Sequence, residues 1–144
     1  MHTLFDNVTV VANGTPGVYT SAATFGGVYV SAADTTNVSI LLVGTGSVAA
    51  GTINVYQGTD STGAGAKLVT GRDGTATLSF GTVGTAFGIT VNVATLDLAN
   101  GYTWVSAIGT IASTGTFRGA SSYIKSNIRL APASGLNGSV YIVT

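Results

Sequence analysis

Ile89-Thr90-Val91-Asn92-Val93 alternates apolar and polar at every step. Successive side chains of a strand point to opposite faces, so the stretch has a dry side at 89, 91 and 93 and a wet side at 90 and 92. Thr75-Ala76-Thr77-Leu78-Ser79-Phe80 repeats the pattern, with 76, 78 and 80 apolar. Helical spacing recurs nowhere in the chain. This is the signature of antiparallel sheets packed on one face. Weaker runs of the same kind lie at 4–11, 18–21, 28–32, 38–43, 52–57, 67–69, 102–108, 115–118, 123–130 and 139–143. Val38-Ser39-Ile40-Leu41-Leu42-Val43 is nearly continuous and apolar. It reads as a central strand covered on both faces.

Turn signals separate the runs. Asn13-Gly14, Arg72-Asp73-Gly74, Asn100-Gly101 and Asn137-Gly138 supply residues that accept positive φ, and between alternating runs they read as hairpins. Helical turns are confined to 99–100 and 131–134. The expected fold is all-β: a single antiparallel β-sandwich over residues 1–144, jelly-roll-like, with roughly eight to eleven short strands. Residues 1–11 form either an edge strand or an N-terminal arm. Leu4, Phe5 and Val8 are the apolar residues with which an arm would add to a neighbour's sheet.

Composition narrows the function. Five Lys and Arg balance five Asp in 144 residues, and there is no Glu and no Cys. A neutral chain lacks the field that gathers phosphates, which argues against nucleic-acid binding. It also lacks the repulsion that keeps monomers apart, which favours an oligomer. Neither a secretory leader nor an apolar run of about 20 residues is visible, so no membrane span is expected.

The chain is poor in groups that do chemistry. Acid–base catalysis needs two titratable groups held close with separated pKa values. The acids Asp6, Asp34, Asp60, Asp73 and Asp97 mostly fall in or beside turns, where Asp bonds its own backbone. His2 is the lone histidine, so a zinc site has too few ligands. Gly63-Ala64-Gly65-Ala66-Lys67 lacks phosphate-loop spacing. The chain therefore reads as non-enzymatic, with no cofactor and no metal.

Tyr123-Ile124-Lys125-Ser126-Asn127-Ile128-Arg129-Leu130 alternates most clearly. The pattern puts Ile124, Ile128 and Leu130 on the dry face and Tyr123, Lys125, Asn127 and Arg129 on the wet one. Arg118 joins them if its strand lies nearby. These five residues are the candidate partner contact, set against the plainer reading of a solvated sheet face or an edge protected by charge. Trp104, with Tyr102 and Ile108 on its face, reads most simply as core. Exposed, it would instead form a platform for a sugar ring.

The C-terminal third carries a resemblance. Gly115-Thr116-Phe117-Arg118-Gly119, Ser122-Tyr123-Ile124, Ile128-Arg129-Leu130 and Gly138-Ser139-Val140-Tyr141-Ile142-Val143 resemble the end of small β-sandwich virion proteins of tailed bacteriophages. In that family an aromatic-Arg-Gly strand precedes a Tyr-x-Ala-Ile-Arg-Val strand and a Gly-Ser-Val-Thr-Val closing strand. Lys125-Ser126-Asn127 interrupts this spacing, and Arg72-Asp73-Gly74-Thr75 keeps the family's turn without its Trp. The resemblance covers about 35 residues and is a folding signature, so it carries over no binding residue. It implies a structural protein on the capsid surface, decorating or cementing a phage head by binding the major capsid protein and itself, commonly as a trimer. The alternative it leaves is a tail or fibre module that binds a carbohydrate receptor.

Overall fold

The alternation at 89–93 becomes strand β11 (Ala86–Asn92), with Ile89 and Val91 buried and Thr90 and Asn92 half-buried. Val93 is buried as expected but opens a 3-10 turn, Val93–Thr95, because the Asn92 side chain accepts from the Ala94 N–H at 2.9 Å and ends the strand. The computed structural model describes residues 8–45, 51–71, 74–75, 77–80, 86–112, 114–127 and 140–143.

One sheet has the order β1 (Val8–Ala12), β13 (Thr116–Ser126), β5 (Asn37–Thr45), β11 and β14 (Val140–Val143). Strand β2 (Gly17–Thr20) continues the β1 edge along β13. The other sheet has the order β10 (Thr77–Phe80), β6 (Gly51–Gly58), β12 (Trp104–Ile111) and β3 (Thr24–Gly26). There β7 (Lys67–Leu68) continues the β10 edge, and β4 (Val30–Ser31) continues the β3 edge. Every pairing is antiparallel except β11 with β14. Counted with collinear pieces as one strand position, the sheets run 1-8-3-6 and 2-7-4-5, which is the order of a jelly roll. A small hairpin of β8 (Thr70–Gly71) and β9 (Gly74–Thr75) is inserted between positions, and β14 is added beyond them.

The fold expectation holds, with instructive differences. The runs at 115–118 and 123–130 are one continuous strand as far as Ser126, because 119–122 pair with β5 without a break. Asn13-Gly14 makes no hairpin: β1 and β2 both pair with β13, and the turn is a jog along one edge. Asn100-Gly101 ends a second 3-10 turn, Leu98–Asn100, with Gly101 at φ +80°. Gly71 pairs with Gly74 in a short β8–β9 hairpin, while Arg72 and Asp73 of that cue lie outside the described residues. Asn137-Gly138 and 131–134 lie outside the described residues.

The core lies between the sheets. At one end Phe25 and Phe117 stack at 5.2 Å between centroids, with Tyr19 5.1 Å from Phe25. Glycines make room for these rings. A Cβ on Gly109 would come within 2.1 Å of Phe25, and one on Gly44 within 2.1 Å of Phe117. At mid-sandwich Tyr123 crosses from β13 to the second sheet. There the edge of β12 is open between β3 and β4. The Ala107 N–H donates to the Tyr123 hydroxyl at 2.8 Å, and the Ala107 carbonyl accepts from Asn13 Nδ2 at 2.9 Å. The Tyr123 hydroxyl lies 2.7 Å from both Asn13 Oδ1 and the Val28 carbonyl, and its proton serves one at a time. Burial pushes its pKa up to about 12, against the pull of the Ala107 N–H.

Candidate interaction surfaces

The register of β13 decides where the expected contact residues stand. Phe117, Ser121 and Tyr123 are buried, so odd positions face the core and even positions face outward. Tyr123 is therefore not a contact residue. It is fully buried, and the expected phase of this strand is reversed around it. A hydroxyl with partners at Ala107, Asn13 and Val28 costs less to bury than an aromatic ring costs to leave in water. Arg118 is exposed on the outer face. Lys125 lies seven places along an unbroken strand, hence on the opposite side, and is half-buried at the sandwich rim. The two stand roughly 23 Å apart along the strand. Asn127 is exposed just past the strand end, where its Oδ1 accepts from the Thr36 N–H at 3.1 Å. Val8 pairs with Ser126 at this same end, half-buried. Arg129, Leu4 and Phe5 lie outside the described residues. Arg118 and Lys125 thus share no stripe, while Val8, Lys125 and Asn127 share one end of the sandwich.

The outer face of the first sheet is the larger feature. Row by row, Val10 stands beside Ile124 and Ser39, Ala12 beside Ser122 and Leu41, Ala120 beside Val43, and Val18 beside Arg118. Val10, Val18 and Val43 are 65%, 59% and 51% exposed, well beyond what burial would leave. Ser39 Oγ and Thr90 Oγ1 lie 2.9 Å apart and satisfy one another. Arg118 is the only charged side chain on this face among the described residues. Sequence reasoning missed the face because single valines at alternate positions carry no motif. The signal was present in 38–43, whose outward members Leu41 and Val43 are apolar yet have no covering element among the described residues.

The outer face of the second sheet is aromatic. Trp104 is half-buried there and not in the core, since Val105, Ala107 and Ile111 take the inward positions. Tyr56 stands opposite Ser106 on the neighbouring strand. The ring of Tyr29 lies over Gly58 and Gly63, where a Cβ on Gly63 would meet it at 2.4 Å. Tyr29 holds its proton above the usual tyrosine range because of burial and the nearby Tyr56.

Asp60 and Asp97 serve structure. Asp60 Oδ1 accepts from the Thr62 hydroxyl at 2.7 Å, the Thr62 N–H at 2.8 Å and the Ala64 N–H at 3.1 Å, which holds its carboxyl below the usual range. Asp97 is lowered by Lys67, whose Nζ donates to Oδ2 at 2.5 Å, and by Asn100. Lys67 also sits 4.1 Å from the centroid of the Tyr102 ring. Among the described residues no three His, Cys, Asp or Glu side chains group as metal ligands would.

No protein-family model and no curated protein matches the chain. Among solved structures it is similar to the coat protein of tobacco streak virus, at 14% identity and a TM-score of 0.36 over 92% of this chain and 94% of that one. A structure of that coat protein's dimer matches with the same identity, score and coverage. The structure of infectious bursal disease virus, Gx strain, matches at 14% identity and a TM-score of 0.37 over 87% of this chain and 33% of that one.

Proposed function

We propose that this protein is a non-enzymatic structural component of a bacteriophage virion, a decoration or cement protein on the capsid surface that binds the major capsid protein. The observation that carries the reading is the outer face of the first sheet, an apolar expanse on a jelly roll whose described acids are spent on turns and one surface ion pair. Such a molecule makes contacts, and gains stability for its assembly by mass action. The C-terminal resemblance supplies the virion setting, and with it a trimer as the common arrangement of such proteins.

The shell contact is assigned to the end of the sandwich where Val8, Lys125 and Asn127 gather. The chain enters β1 there, so Leu4 and Phe5 precede that end by only a few residues and supply the arm. The test is cosedimentation of the purified protein with particles assembled without it. Saturation at a fixed copy number supports the reading, and failure to sediment with any head preparation refutes it.

One observation favours a second reading. Trp104, Tyr56 and Tyr29 share an outward face, as a sugar platform on a tail or fibre module would require. Under that reading glycan titration changes Trp104 fluorescence. Silence across a broad glycan panel removes it.

A further inference from the structure

We propose that the outer face of the first sheet pairs with the same face of a second copy of this chain, forming a two-fold dimer. The face carries Val10, Val18, Leu41, Val43, Ala120 and Ile124, and a single charge among its described residues. Strand β5 runs through the middle of the face. Its inward residues Val38, Ile40 and Leu42 are buried, and its outward residues Leu41 and Val43 are as apolar as those of a strand covered on both sides. Among the described residues no element covers Leu41 and Val43 on this side, and another copy supplies the second cover.

Area supports this occupant. Five strands about 4.8 Å apart, along nine residues of β13, make a face of roughly 600 Å² per copy, and two such faces clear the roughly 1,000 Å² that a specific interface needs. Polarity supports it too. The Ser39–Thr90 hydroxyl pair is satisfied within the sheet and can lose water at little cost.

Self-pairing is also compatible with the one charge. Arg118 lies in an end row of the face, with Val18. A two-fold axis across the strands through the Ser122–Leu41 row sets Arg118 of one copy against the Asn37–Ser126 row of the other, away from its own mate. The same axis lays the Val10–Ile124 row on the Ala120–Val43 row, apolar on apolar. An isologous pair of this kind closes on itself. It departs from the trimer that the resemblance implies, because a face that meets its like across a two-fold axis closes in twos.

The proposal goes beyond the virion reading, and its test needs no capsid. Sedimentation equilibrium of the full chain at micromolar concentration should give a dimer. Val43→Lys and Val10→Lys, each placing a charge in the buried face, should raise the dissociation constant roughly a hundredfold or more while the melt stays cooperative. Leu98→Lys, an exposed apolar residue away from this face (46% exposed), should leave the dimer intact. A wild-type monomer, a trimer, or a dimer indifferent to both face variants would overturn the pairing. A Val43→Lys monomer that still sediments with heads would separate this inference from the proposed function.

Discussion

Tyr123 shows how one side chain ties the two sheets. Its hydroxyl closes the gap between β3 and β4, and removing it in Tyr123→Phe leaves the Ala107 N–H without a partner. The expected cost is about 1–3 kcal/mol, read by urea melts at neutral pH. The same hydroxyl makes stability pH-dependent. An unfolded tyrosine ionises near pH 10, and Tyr123 in the fold only near pH 12. Between these values the unfolded chain releases its proton first, so stability is full below pH 10 and falls as pH rises to 12. The loss amounts to about 2–3 kcal/mol. Tyr123→Phe should remove that extra loss when melts at pH 9 and pH 11.5 are compared with wild type.

Glycine at the aromatic end makes the complementary case. Gly109→Ala drives a methyl into the Phe25 ring and should cost about 1–3 kcal/mol or more. Gly88→Ala meets only ordinary contact at 3.6 Å, and its melt should stay within about 0.5 kcal/mol of wild type.

At the scale of elements, the strands themselves were legible in the sequence and several of their directions were not. Alternation at 89–93 and the apolar run at 38–43 gave their strands because local burial makes the pattern. The phase of β13 was hidden because the partners of Tyr123 are distant in the chain, Asn13 lying 110 residues away. Trp104 read as core because its inward neighbours Val105 and Ala107 are small. They are small because Phe25 and Tyr123 already fill the space between the sheets. Asn13-Gly14 looked like a hairpin, and only the register along β13 shows a jog.

The N-terminal segment divides accordingly. Strand β1 pairs with β13 over five residues, and Val11 packs on the core. Deleting residues 1–12 should therefore lower the melting temperature by many degrees. Deleting residues 1–7 should leave a cooperative melt and weaken attachment to heads. Loss of the melt in the shorter deletion would mean that the segment is structural and not an arm.

The described residues of this neutral chain form a jelly roll that presents three surfaces: a sheet face rich in valine and leucine, an aromatic sheet face, and an end carrying Val8, Lys125 and Asn127. The shortage of charge is what leaves one sheet face with a single charged side chain among its described residues, and the sequence showed that shortage at once. Which residues make the faces depended on strand phase, which composition does not encode. The most direct measurement is electron cryo-microscopy of the purified virion. Jelly-roll density is expected on the outside of the head, with the end holding Lys125 and Asn127 toward the shell. Density confined to the tail, or particles without the protein, would contradict it.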